Sequence, residues 1–405
     1  MLIEFRVTNF RSFKETVEFS METGKYLKAY KNSHTFTQNK KSLLKTALLF
    51  GGNANGKTNL LEALQALKWL LINPTQTENH LLRTDTFSYN GDNTKFFVQF
   101  IKNEKEFQYE FEYNKDEIVK EILKVNNDIF FERSYQNFNI LPDGLISMSQ
   151  NIRKNTFLLF FAQSNNIPDA MTAYSWIYSD LISVNTDEID NGVFQELKNK
   201  EFKEKFLCFL KAADFNVIDV EVKEQLNPIP VPLALELKNV IKDFDESMFK
   251  NNVSYEIYSK HKSKDGEFEV HFNNESRGTK IFMFLAIYIL KNKPNGKILL
   301  IDEFDQSFHQ ELAEALLDLF NNEKQKNQFI LTTHELELMN YNLRPDQIWF
   351  AEKNMDGETE LFSVYDFEDK ALTRMDYGYK KRYLQGRYGG KQIIHINQLT
   401  DILGD

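Results

Sequence analysis

Apolar and polar residues alternate through the opening segment "MLIEFRVTNF", and this two-residue period predicts a strand. The first 70 residues read as two strands, an irregular linker, a third strand, a glycine loop and a helix. The third strand is "KTALLF" (45–50); the helix is "NLLEALQALKWLL", whose apolar positions recur at helical spacing. "KFFVQFI", "EFQYEFEY" and "EIVKEILKV" follow, separated by "KNEK" and "NKDE", the pattern of an antiparallel meander. From about 130 to 250 the pattern is mixed and mainly helical, with "FQELKNKEFKEKFLCFLKAADF" as the clearest helical segment and "TFLLFFA" strand-like. "NPIPVPLALELK" must start extended, because each proline restricts the residue before it. "VSYEIYS" and "EFEVHF" flank Asp265-Gly266 as a hairpin. The apolar segment "TKIFMFLAIYIL" predicts a buried helix starting near Lys280. Strand "KILLIDEF", helix "QELAEALLDLF" and strand "QFILTT" come next, and "DQIWFAEK" is set to pair with "ELFSVYD". Apolar strands alternating with helices imply an α/β fold with a central, mostly parallel sheet covered on both faces. No heptad pattern or internal repeat is present.

Three segments carry chemistry. Residues 51–58, "GGNANGKT", match G-x-x-x-x-G-K-[ST] between an apolar strand and a helix. In such a loop Gly51, Gly52, Asn53, Asn55, Gly56 and Asn59 surround phosphate oxygens, Lys57 reaches the β and γ phosphates, and Thr58 binds Mg²⁺. Asp302 and Glu303 emerge together at the carboxyl end of "KILLI", where open α/β sheets bind ligands. Asp302 is suited to holding Mg²⁺, and Glu303 to orienting and deprotonating an attacking water. His334, at the end of "QFILTT", stands one strand and one helix later, where an imidazole can hydrogen-bond a γ-phosphate. Ser276, Arg277, Gly278 and Thr279 precede the apolar helix and supply a hydroxyl and backbone N–H groups for a second phosphate site. One nucleotide already has a cradle at 51–58, so the second would serve the nucleotide of another copy of the chain.

Composition narrows the class. A hydrophobic content of 42% with 36 Phe supports a real core. The net charge of −10 argues against coating nucleic acid over the whole surface, but allows a local basic patch. The basic and aromatic run "YGYKKRYLQGRYGGKQ" is one candidate; a solvated tail or subunit contact is its other reading. Cys208 has no partner in the chain and reads as a helix-core residue of a reducing compartment. The N-terminus lacks a signal-peptide pattern, and the longest apolar run, 281–290, is too short for a bilayer. A soluble, cytoplasmic protein without membrane contact is expected.

The order of the P-loop, "ESRGTK", "LLIDEFDQSFH" and "TTH" resembles an ABC-type ATPase head of the SMC/RecF/OLD group. The resemblance implies a P-loop NTPase of ABC-head type, with an antiparallel β subdomain and a helical insertion. The head would be built from 1–128 and 251–405 around an insertion lobe at 129–250. It implies ATP and Mg²⁺ as ligands, and a dimer or higher oligomer in which Ser276 and Gly278 complete the facing subunit's site. Arg277 stands where that group has glycine. "FDQSFHQ" resembles the group's D-loop, through Asp305 and His309. "TNFRSF" resembles its opening strand, which brings Arg11 toward the nucleotide. A Mg²⁺-sensing glutamine is expected between P-loop and signature; Gln163 is the first choice and Gln99 the alternative.

"LKAADFNV", "ESRGTK", "RPDQIWFAEK" and "YLQGRYGG" further resemble the RloA/AbiLi-like bacterial ATPases, although "GKQIIH" departs from their ending. That likeness implies phage defence (abortive infection) beside a separate TOPRIM-type nuclease. The alternatives are an SMC/RecF-like repair or chromosome ATPase, with DNA contact left open, and a nucleotide-gated scaffold without turnover. The missing coiled-coil pattern and the acidic charge weigh against the repair ATPase. Glu303 weighs against the scaffold, since binding alone needs no general base. The segment after His334 offers no acidic metal cluster, so nuclease activity is expected in a partner and not in this chain.

Overall fold

The computed structural model describes residues 1–185, 190–226, 253–291, 296–367 and 378–388. It divides into two compact units, one of residues 1–183 with 293–405 and one of 184–292. These boundaries differ from the 128/129 and 250/251 divisions expected from the pattern. The first shifts because Asp128–Ser134 and Asn137–Ile140 pair onto the meander and extend it. "NPIPVPLALELK" lies outside the described residues.

In the first unit, β1 (Leu2–Thr8) and β2 (Val17–Ser20) join the meander. β3 (Thr35–Gln38) and β4 (Lys41–Leu44) form a small separate ribbon, and β5 (Thr46–Phe50) leads into the glycine loop. The meander itself is β6 (Thr94–Lys102), β7 (Lys105–Tyr113), β8 (Ile118–Val125), β9 (Asp128–Ser134) and β10 (Asn137–Ile140). With β1 and β2 it makes a seven-stranded sheet in the order β10-β9-β8-β7-β6-β1-β2. On β7 the period is plain: Phe107, Tyr109, Phe111 and Tyr113 are buried and alternate with polar residues.

The second sheet contains β11 (Leu181–Val184), β15 (Ile298–Ile301), β16 (Gln328–Thr332), β5, β17 (Ile348–Lys353) and β18 (Thr359–Ser363), in that order. β15, β16, β5 and β17 run parallel, and β18 returns antiparallel as the expected hairpin partner of β17. Every residue of β5, β15 and β16 is buried, as strands covered on both faces require. Buried Gln328 ties the two sheets: its Oε1 accepts from Leu2 N at 2.7 Å, and its Nε2 donates to the carbonyls of Leu2 and Leu44 at 3.0 and 3.1 Å.

Counting helices longer than one turn, α1 (Lys57–Ile72) follows the glycine loop and buries Leu60, Leu61, Leu64, Leu67 and Leu71. α2 (Leu158–Ser164) and α3 (Pro168–Ser179) pack on each other and against α1. α2 corrects the strand reading of "TFLLFFA", because a short apolar run has no periodicity to separate strand from helix. Its start is fixed by Glu121 on β8, whose carboxylate accepts the N–H groups of Leu158 and Leu159 at 2.7 and 2.9 Å. Glu121 also accepts from Tyr109 Oη at 2.8 Å and pairs with Arg133 on β9 at 3.2 Å, both charges fully buried. Arg133 Nη2 donates to Thr156 O at 2.8 Å.

The second unit holds β12 (Val217–Leu226), β13 (Val253–Ser263) and β14 (Gly266–His271) as an antiparallel sheet; the expected hairpin forms, with Lys264-Asp265 as its turn and Gly266 as the first strand residue. α4 (Lys200–Ala212) is capped by Asn199, so "FQELK" before it is a separate 3₁₀ segment. Cys208 lies on the exposed face of α4, not in the core; Phe206 and Leu210 fill the buried face. α5 (Arg277–Lys291) starts three residues before Lys280, which corrects the expected boundary. α6 (Gln310–Phe320) and α7 (Tyr379–Leu384) belong to the first unit. In the basic and aromatic run, Tyr383 and Tyr388 stack on Phe350 of β17 at 5.1 and 5.3 Å, so these rings serve packing. Residues 377 and 389–392 of that run, with "GKQIIH", lie outside the described residues. No described helix is long and apolar enough to cross a membrane.

Glu121→Leu strands a buried guanidinium and costs about 3–5 kcal/mol in urea unfolding. Adding Arg133→Met recovers part of the loss; a fully additive double variant would contradict the pairing.

Candidate active site

The parallel order β15-β16-β5 brings three loops to one sheet end, since β5 runs into residue 51, β15 into 302 and β16 into 333. Gly51 is required there: a Cβ would lie 2.5 Å from Ala351 O. Gly56 caps α1 with φ 92°, and a Cβ would lie 2.6 Å from Thr359 Oγ1. Asn53 is exposed, while Asn55 Nδ2 donates to Ala351 O at 3.3 Å.

Lys57 is buried and donates from Nζ to the carbonyls of Gly51 and Gly52 at 2.9 and 3.0 Å, so its charge lies inside the loop. Burial lowers its pKa to about 8, opposed by Asp302, Asp305 and Glu303. Thr58 Oγ1 donates to Asp302 Oδ1 at 3.1 Å, and the Thr332 hydroxyl donates to the same oxygen. Thr332 Oγ1 in turn accepts from Glu303 N at 2.8 Å. Glu303 is left-handed, at φ 51° and ψ 51°, and starts the short turn Phe304–Ser307. Asp305 Oδ1 accepts from His334 N at 3.0 Å. The His334 ring has a lowered pKa, chiefly from burial and then from Lys57, with Asp305, Glu303 and Asp302 opposing. It is therefore held toward the neutral imidazole.

The structure thus joins residues 51–58, Asp302, Glu303, Asp305 and His334. The Thr58 hydroxyl and Asp302 carboxylate are hard oxygen donors meeting at one point, a fit for Mg²⁺ beside phosphate oxygens. Among the described residues no cluster of three or more His, Cys, Asp or Glu forms a protein-only metal cage. His309 precedes α6, and its backbone carbonyl accepts from Ala313 N at 2.9 Å.

Arg11 pairs with Glu62 on α1 and with Asp85 at 2.6 Å, so two carboxylates engage its guanidinium. Gln163 lies on helix α2, where its Nε2 donates to Ser164 Oγ at 2.9 Å, and Gln99 on β6 donates to Glu106. Neither glutamine is among the residues bonded around Asp302. In the second unit Ser276 caps α5: its Oγ accepts from Thr279 N at 3.1 Å and lies 2.8 Å from Thr279 Oγ1. Ser276 and Arg277 are exposed, and Gly278 falls in the first helical turn. Behind Ser276, Glu275 pairs with His261 at 2.7 Å.

Sequence reading missed three hydroxyls. Thr332 lies in "QFILTT", two residues before His334, and Ser12 follows Arg11 directly in "TNFRSF". Thr359 carries no sequence signal, because it reaches the loop only through the fold. Its Oγ1 bonds Ser12 Oγ at 2.8 Å and Asn55 O at 3.1 Å, while Asn59 Nδ2 donates to Ser12 Oγ at 2.6 Å.

Residues 47–340 match the family described as "AAA domain, putative AbiEii toxin, Type IV TA system", which covers more than half of the chain. The chain belongs to this AAA-domain family. DNA replication and repair protein RecF from two strains of Leptospira biflexa serovar Patoc (Patoc 1 / Ames and Patoc 1 / ATCC 23582 / Paris) is 32% identical over 149 residues, 35% of this chain. The match spans 38% of those relatives' own length. Among solved structures, an SMC head bound to the C-winged helix domain of ScpA aligns at 15% identity and TM-score 0.47, covering 89% of this chain and 97% of that one. The SMC head domain from Thermotoga maritima aligns at 13% and 0.43, covering 89% and 98%.

With Lys57 half-neutral near pH 8 in the free protein, a bound polyphosphate raises its pKa. Above about pH 8 ATP binding therefore takes up a proton, and apparent affinity falls by up to about tenfold per pH unit. Calorimetry in two buffers of different ionisation enthalpy should show uptake near pH 9 and little near pH 7. Equal uptake at both would contradict the buried ammonium.

Proposed function

We propose that the chain hydrolyses ATP and works as a dimer or higher oligomer of ABC-type heads, as the switch of a cytoplasmic anti-phage complex whose nuclease is a separate TOPRIM-type partner. The observation that carries the ATPase reading is the joint made by Thr58, Asp302 and Thr332, with Glu303 bonded to it and His334 bonded to Asp305. Residues 51–59 hold the polyphosphate, and the Lys57 ammonium pairs with its β and γ groups. Thr58 and Asp302 would hold Mg²⁺, which when bound neutralises phosphate charge; Gln163 is the weakest member of that set, since its amide bonds Ser164. Glu303 orients the attacking water and takes its proton, a role of about 10²–10⁴ in rate. Neutral His334 donates a ring N–H to the γ-phosphate, and Asp305 holds its backbone. Arg11 approaches the nucleotide from the β1–β2 loop only by exchanging a carboxylate partner.

Ser276, Arg277, Gly278 and Thr279 complete the site of a second copy. Exposure of Ser276 and Arg277 at the start of α5 supports this, as does a complete phosphate loop elsewhere in the chain. The defence role draws support from the AbiEii toxin named in the family description and from the RloA/AbiLi-like segments. The second reading is a RecF-like repair ATPase acting on DNA, favoured by the RecF match. Co-purification of neighbouring gene products separates the two: a TOPRIM-type nuclease supports defence, and replication or repair proteins support the second reading.

Glu303→Gln should bind ATP, hydrolyse it at least about a hundredfold more slowly and accumulate dimer; unchanged turnover would refute its role. Ser276→Arg should lose hydrolysis while single chains still bind ATP. Mixing it with Lys57→Ala creates one intact composite site and should restore part of the rate. No recovery in such mixtures would count against a shared site.

A further inference from the structure

We infer that Thr332 is a positioning residue: its hydroxyl locks Asp302 and Glu303 into their working arrangement. The inference rests on the ATPase reading above and extends it to a residue that touches no substrate. Thr332 is the last residue of β16, the strand between β15 and β5, and is 1% exposed. Its hydroxyl donates to Asp302 Oδ1 and accepts the Glu303 N–H at 2.8 Å. A single hydroxyl thus spans the backbone of one acid and the carboxylate of its neighbour.

Both bonds are needed for a physical reason. Glu303 is a non-glycine residue in the left-handed region, a conformation that costs an L-residue free energy and persists only where surrounding bonds impose it. The Thr332 oxygen supplies that bond at the Glu303 amide. Its proton meanwhile holds the same Asp302 oxygen that receives Thr58 Oγ1 at 3.1 Å. Thr332 thereby sets the separation between the phosphate-loop hydroxyl and the water-activating carboxylate. Thr333 is not equivalent: its Oγ1 accepts from Glu335 N at 3.0 Å, within its own loop.

Thr332→Val keeps shape and burial but removes both bonds. It should lower kcat by about tenfold or more with KM for ATP nearly unchanged, since misplaced groups cost the chemical step before they cost binding. Thr332→Ser should restore most of the rate, which a purely packing role for the side chain would not explain. Amide hydrogen exchange of a peptide covering 302–307, read without nucleotide, should be faster in Thr332→Val and near wild type in Thr332→Ser. Unchanged exchange in the valine variant overturns the inference whether or not the chain hydrolyses ATP. Faster exchange with no wild-type hydrolysis keeps the clamp and refutes the ATPase reading. Faster exchange with an undiminished kcat overturns the positioning role.

Discussion

Three parallel strands that end at one level are the constraint on which the rest of this head depends. β15, β16 and β5 are buried throughout, so their polar continuations can emerge only at the strand ends. Those ends deliver Asp302, Thr332 and the phosphate loop to a single point, although the residues lie far apart in the chain. The joint they form is small and half-buried, a carboxylate oxygen receiving two hydroxyls beside a buried ammonium. In such surroundings each charge is felt by its neighbours, which is why burial and opposing carboxylates together set the protonation of Lys57 and His334.

The outer structure keeps those strand ends in place. Gln328 fastens the parallel sheet to β1, and the Glu121–Arg133 pair fastens helix α2 to the meander. Behind the phosphate loop, Ser12 and Thr359 come from opposite ends of the sequence and close around Gly56 and Asn59. Each tie satisfies polar groups where water is excluded, so loss of one partner is expected to disturb the loop it supports.

Elements whose signal is local were legible in the sequence. The period of two in "EFQYEFEY", the glycine loop and the acid pair after "KILLI" each reflect short-range geometry that the fold retained. "TFLLFFA" failed for want of periodicity; tertiary contact with Glu121 decides that it is a helix. Cys208 stands two positions, about 200° of helix, from both Phe206 and Leu210, so the face that buries those two turns it outward. In the site, residues 51–58, Asp302, Glu303, Asp305 and His334 meet at one sheet end, whereas Arg11 pairs with Glu62 and Asp85 instead. The two glutamines did not, because a sensing glutamine has no spacing rule linking it to the loop it serves. Thr359 was invisible for the same reason.

The claim that the site is finished by a second chain is tested most directly by the dependence of specific ATPase activity on protein concentration. Sedimentation should first establish the range over which the chain is monomeric. From that range upward a shared site predicts specific activity that rises with concentration and levels off once dimers form. Specific activity that stays constant while the protein is monomeric would contradict it, and would return the full reaction to a single chain.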